Sequence, residues 1–145
     1  MRLWHYDLIE YLPKSQLWLV AQWRELNSIY VKQDNHILIN FVYEYSTYDL
    51  LIYSQMVLKE MKNRGYRFNL KNYNEYFKEV DEDELKIEPE MWLIGSDGLF
   101  GNHMNYTYLK ICCWNLYEKY IRGQKDFTDE TIRYIQGVCF SPRFC

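Results

Sequence analysis

Residues 46–65, STYDLLIYSQMVLKEMKNRG, carry both ends of a helix within one window. Ser46 followed three residues later by Asp49 is a capping-box-like start, with Asp in place of Glu. Leu50, Leu51, Val57, Leu58 and Met61 then form an apolar side at helical spacing. Gly65 supplies a left-handed stop, so the helix is expected to run to about Arg64.

Working outward, the same signals recur. Pro13 precedes a helix over about 15–31 with Ser15 as its N-cap. Leu17, Val20, Ala21, Arg24 and Ser28 fall along one side of it, and Leu19, Trp23, Leu26 and Tyr30 along another. Asn105 caps a third long helix, about 106–122, ended by Gly123. Thr128 caps a last one, about 129–136, ended by Gly137. A shorter helix fits 71–79. Residues 1–12 read as an extended arm or strand-like segment. Residues 37–45, ILINFVYEY, are β-branched and aromatic and read as a short strand or an extended connection. Residues 79–90 form a loop or hinge. Gly95, Gly98 and Gly101 mark a second loop, without the Lys-Ser/Thr of a phosphate cradle. Three long helices with little strand signal predict an all-α or mainly-α compact fold, one domain spanning 1–145.

Composition agrees. The 145 residues are 48% hydrophobic and 26% charged, with only 6 Gly and 3 Pro, which excludes disorder and collagen-like structure. No apolar run approaches the length of a membrane span. His5, Asp7 and Glu10 stand where a secretion signal needs an apolar block, so a cytoplasmic location is expected. Cys112, Cys113, Cys139 and Cys145 have no zinc-type spacing and read as small core residues in a reducing compartment. The excess is aromatic: 15 Tyr, 7 Phe and 5 Trp, residues that build cores and also stack on bases.

The net charge of −3 argues against a nucleic-acid partner until its distribution is considered. Residues 79–90 hold seven acids and one Lys, and the remainder carries 13 acids and 16 bases. Lys59, Lys62, Arg64, Arg67 and Lys71 lie within one stretch against Glu60. A local basic face and an ordinary solvated helix end are both open readings. Arg24 and Glu25 are charged residues inside a largely apolar helix. A mutual ion pair explains them poorly, because adjacent residues do not face each other on a helix.

MRLWHYDLIEYLP (1–13), LVAQWRE (19–25), NHILINFVYEYSTYDL (35–50) and KEMKNRGYRF (59–68) together resemble the pyrimidine-dimer DNA glycosylase/AP lyase family, the phage endonuclease V type. The likeness is to a bacterial branch that begins Met-Arg-Leu-Trp. It continues more weakly through His103 and the helix 106–122.

The resemblance implies a mostly helical fold with the N-terminus at the active site. It implies action on double-stranded DNA with a damaged or abasic site, by a monomer without metal or organic cofactor. It makes the α-amine of the chain the nucleophile. Arg2 is too large for ordinary removal of the initiator, so that amine belongs to Met1. Glu25 matches the family's catalytic acid through Trp23-Arg24-Glu25, with Arg2 and Arg24 on flanking phosphates. Two departures stand out. Trp18 and Ser28 occupy positions where the phage enzyme has His and Arg. His5 and His36 are the candidates for the missing imidazole, and each also reads as structural. Arg67, Lys71, Lys119, Arg122 and Lys125 are candidates for DNA-backbone contact, and Phe140 and Phe144 for stacking near the lesion. The alternatives are a catalytically inactive DNA-binding relative and a small helical partner-binding protein.

Overall fold

The structure, a computed structural model, describes residues 2–85 and 98–141. In order it contains a 3₁₀ helix at Tyr6–Tyr11, α1 (Gln16–Val31), a 3₁₀ helix at Asn40–Glu44, α2 (Thr47–Asn63), α3 (Lys71–Tyr76), α4 (Tyr106–Ile121) and α5 (Asp129–Cys139). No strand occurs among the described residues, and none of their helices is long and apolar enough to cross a membrane. α1 packs on α2 and α3, α4 on α5, and the first 3₁₀ helix on α2 and α5.

The helix ends follow local chemistry. Ser46 Oγ accepts from the Tyr48 N–H, Asn105 Oδ1 from the Tyr108 N–H, and Thr128 Oγ1 from the Thr131 N–H. Ser15 precedes α1 but makes no side-chain capping bond. Gly65 and Gly123 take φ of 77° and 98°, which a side chain would resist. The box expected at Ser46 does not close on itself. Asp49 Oδ2 accepts instead from the Phe100 N–H at 3.1 Å, tying α2 to the loop before α4. That bond helps hold Phe100, buried among Phe41, Tyr45 and Tyr53, at φ 55°.

Four expected boundaries are corrected. Of the segment 1–12, the described residues 2–12 form no strand: they carry no regular structure up to His5 and then turn into 3₁₀ helix. The run 37–45 is likewise neither strand nor extended, because burial of Phe41 and Val42 is met by the second 3₁₀ helix. α3 stops at Tyr76, where Phe77 turns inward and is buried. α5 passes through Gly137, because going on to Cys139 buries that side chain. Cys112 and Cys113 are buried on α4, as expected of core residues. Residues 86–90, Gly95 and Cys145 lie outside the described residues.

Arg64, from the basic stretch, is an interior residue with 8% of its side chain exposed. Its guanidinium donates to the carbonyls of Leu12 (2.8 Å), Pro13 (3.0 Å) and Glu10 (3.3 Å), which closes the end of the first 3₁₀ helix onto α2.

Candidate active site

The arm, Arg2 to His5, has no sheet to pair with among the described residues, yet the carbonyls of Arg2, Leu3 and Trp4 and the Trp4 N–H are all bonded. Side chains from three helices do this. The Gln22 Nε2 donates to the Arg2 carbonyl at 2.9 Å, and its Oε1 accepts from the Trp4 N–H at 3.1 Å. The Tyr53 hydroxyl donates to the Trp4 carbonyl at 2.7 Å and lies 3.0 Å from Gln22 Oε1. Tyr108 donates to the Leu3 carbonyl at 2.5 Å. The arm is thereby threaded between α1, α2 and α4.

Beside the arm opens a cavity of about 510 Å³. Arg2 and Trp4 line it from the arm, Trp18 and Glu25 from α1, and Asn115 and Lys119 from α4. Leu17, Ala21 and Gln22 of α1 and Gln124 complete the wall. The cations lie over aromatic rings, Arg2 at 6.0 Å from the Trp4 centroid and Lys119 Nζ at 5.6 Å from that of Trp18. One carboxylate between two cations and an aromatic wall suits a group that is flat and anionic at its edge.

Burial raises the Glu25 carboxyl above the ordinary range, and the Asp34 carboxylate adds to the rise. The amino-terminal charge, His36 and Arg24 act in the opposite direction. A carboxyl raised in this direction keeps its proton to higher pH than a free one. Burial also raises the Tyr108 hydroxyl, and the Arg2 guanidinium opposes that shift.

The other candidates fall in different places. Met1 lies outside the described residues, as does Phe144. His5 is 3% exposed and does not line the cavity. Its Nδ1 accepts from the Asp7 N–H at 3.1 Å, and its Nε2 lies 2.9 Å from the Met104 carbonyl. Those partners set the tautomer with the proton on Nε2, and burial lowers the pKa. His5 therefore acts as a neutral tie between the arm and the start of α4. His36 is exposed, with Nδ1 accepting from the Leu38 N–H, and only its charge reaches Glu25.

Arg24 faces the other flank of α1. It lines two grooves, of about 630 and 370 Å³, together with Asn27 and Asn72. Arg67 and Lys71 line the smaller of these. The two family departures separate likewise: Trp18 is in the Glu25 cavity and Ser28 in the larger groove. Arg122 is exposed and paired with Glu118 at 3.0 Å, and Lys125 is exposed. Phe140 is 60% exposed and packs edge-on against Trp114 and Tyr117.

Sequence reasoning missed Gln22, although a signal was present. Gln22 falls at helical spacing with Leu19 and Leu26, on the buried side, where a carboxamide needs partners. Asp126, which accepts from the Trp18 indole, gave no such signal. Among the described residues no three His, Cys, Asp or Glu gather as a metal site requires.

No curated protein and no solved structure shows significant similarity to the chain. The family model described as pyrimidine dimer DNA glycosylase matches residues 1–74, half of the chain, a span that includes Arg2, Gln22 and Glu25, and the chain belongs to that family.

Proposed function

We propose that the protein is a DNA glycosylase with AP lyase activity on double-stranded DNA, with the α-amine of Met1 as nucleophile and Glu25 as the acid–base group. The observation that carries this reading is that Arg2 and Glu25 line one cavity. Arg2 is bonded directly to Met1, and its presence in the Glu25 cavity is what supports the choice of that amine.

The chemistry suits these groups. An α-amine has an ordinary pKa of about 7.7–8.0, so a useful fraction is neutral near pH 7. The neutral amine attacks C1′ of the deoxyribose, the glycosidic bond breaks, and the base leaves with the bonding pair and a proton. The ring C1′–O4′ bond then opens with its pair going to O4′, which takes a proton from Glu25, and the nitrogen lone pair forms an iminium between C1′ and the chain. The iminium acidifies C2′. Glu25 takes the C2′ proton, the electron pair forms a C2′–C3′ double bond, and the 3′ phosphate leaves. Water then releases the amine. Arg2 and Lys119 hold the phosphates that flank the sugar, and Arg24, Arg67 and Lys71 hold backbone farther along. Reaching C1′ of a stacked nucleotide requires distortion of the duplex.

Borohydride trapping on abasic and on UV-irradiated DNA, with a native amino terminus, tests the reading. A covalent adduct is expected, and a tag that blocks the amine abolishes it. Failure of the untagged protein to form any adduct with abasic DNA would sink the amine mechanism and favour an inactive DNA-binding relative.

A further inference from the structure

Gln22 is one of few polar residues in the interior, 3% exposed, and its carboxamide is matched on both sides. It gives a donor to the Arg2 carbonyl and an acceptor to the Trp4 N–H, at 2.9 and 3.1 Å. Those are the two groups on either side of Leu3 that a neighbouring β-strand would engage. One side chain thus does for the arm what a sheet edge would do. Tyr53 buttresses it, with its hydroxyl within 3.0 Å of both Gln22 Oε1 and the Trp4 carbonyl.

Gln22 also sits three residues before Glu25 on α1. Residues at this spacing are neighbours on a helix surface, about 5–6 Å apart. The clamp on the arm and the acid therefore ride on one rigid element. Among the described residues no other side chain gives the arm both a donor and an acceptor. An apolar residue of the same size would fill the space and leave the carbonyl and the N–H unpaired.

We infer that Gln22, backed by Tyr53, is the positioning residue that fixes the amino-terminal nucleophile relative to Glu25. The inference rests on the reaction proposed above. Gln22 also lines the cavity, and the role assigned to it is positional: its two bonds set where Arg2 and Trp4 stand beside Glu25.

The test is single-turnover borohydride trapping on abasic DNA by Gln22→Met, with affinity measured on DNA carrying a non-reactive tetrahydrofuran abasic analogue. Misplacement of a reacting group on the 1 Å scale costs up to about a hundredfold. The trapping rate constant at saturating DNA is expected to fall at least about tenfold, with affinity and reaction amplitude within about twofold of the unaltered protein. Gln55→Met is the matched control. Gln55 is 2% exposed and its Nε2 donates to the Glu84 carbonyl at 2.6 Å, outside the cavity lining. It is expected to lower stability and keep the trapping rate. A folded Gln22→Met that traps at the unaltered rate overturns the inference, as does equal slowing by Gln55→Met. Should Gln22→Met not fold, Tyr53→Phe, which removes one hydroxyl, carries the test: slower trapping at unchanged affinity supports the clamp, and an unaltered rate overturns it. Absence of an adduct from the unaltered protein is a separate failure, that of the amine mechanism.

Discussion

The Trp18 indole donates its Nε1–H to Asp126 Oδ2 at 3.0 Å. The other carboxylate oxygen accepts from the Gln124 side chain at 2.9 Å, so Asp126 holds two residues of the cavity wall, one from α1 and one from the loop before α5. Asp126→Ala leaves the half-buried indole N–H unpaired. The expected cost is about 1–3 kcal/mol in urea unfolding. In a Trp18→Phe background, where the donor is already gone, the same substitution should cost distinctly less, and a double-mutant cycle reads the difference.

Glu25 is raised by burial first and by the Asp34 carboxylate second. In the proposed reaction the carboxylate form takes the C2′ proton, so its pKa sets the acid limb of the elimination step, measured from the preformed imine and so apart from titration of the α-amine. Asp34→Asn keeps an oxygen for the His36 N–H, which Asp34 Oδ1 accepts at 2.9 Å, and removes the like charge. The acid limb is expected to move to lower pH. Glu25→Gln has no proton acceptor and should slow strand cleavage by about 10²–10⁴-fold while leaving DNA binding intact. An acid limb that stays in place in Asp34→Asn removes Glu25 as its origin.

Helix ends were legible wherever the signal is local. Ser46, Asn105 and Thr128 each bond an N–H within three residues, and Gly65 and Gly123 each take a positive φ. Gly137 carried the same letter without the same duty, because packing of Cys139 rewards a longer α5. The runs 1–12 and 37–45 have strand-like composition, but a strand needs a partner, and side chains of α1, α2 and α4 serve the arm instead. At the site, Arg2 and Glu25 came from the resemblance, and the cavity unites them. Asn115 lines it and Asp126 braces its Trp18 from the other half of the chain, where no spacing relates them to α1. Of the two readings open for His5, its burial and its bonds to Asp7 and Met104 match the structural one.

His5 makes the fold sensitive to mild acid. Burial lowers its pKa from the ordinary 6.5, against the opposing pull of Asp7 and the Met104 carbonyl. The unfolded chain therefore binds a proton that the folded chain resists. The stability this group contributes is fully present above about pH 6.5 and is lost as the pH falls through the lowered folded value. The melting temperature should drop between pH 7 and pH 5, and His5→Gln should flatten that part of the curve. Equal slopes for both proteins would place the acid sensitivity elsewhere.

Arg64 is the fastening of the arm's far end. Its guanidinium serves three carbonyls and lies 3.5 Å from Glu60. Arg64→Met keeps the bulk of the stem and leaves buried carbonyls and the Glu60 carboxylate without their cation. The expected loss is about 3 kcal/mol in chemical denaturation. Glu60, already raised by burial and held down mainly by Arg64, should rise further, so the penalty should shrink at low pH. Lys62→Met, at an exposed position on the same helix, should stay within about 0.5 kcal/mol of the unaltered protein.

Arg67 and Lys71 share a groove with Arg24 on the flank of α1 away from Glu25. If, as proposed, this groove of three cations holds DNA backbone, it holds phosphates without regard to base sequence. Each phosphate contact releases counterions, so removing one should lower the slope of log affinity against log salt by about 1. Arg67→Ala and Lys71→Ala are each expected to show that change on damaged and undamaged duplex alike, and to leave the trapping rate at saturating DNA unaltered. Lys78→Ala provides the contrast, because Lys78 is exposed and already paired with Glu75 at 3.3 Å. Its salt slope should match that of the unaltered protein. If Arg67→Ala and Lys71→Ala behave like Lys78→Ala, the groove holds no DNA backbone, and contact is confined to the Arg2 and Lys119 side of α1.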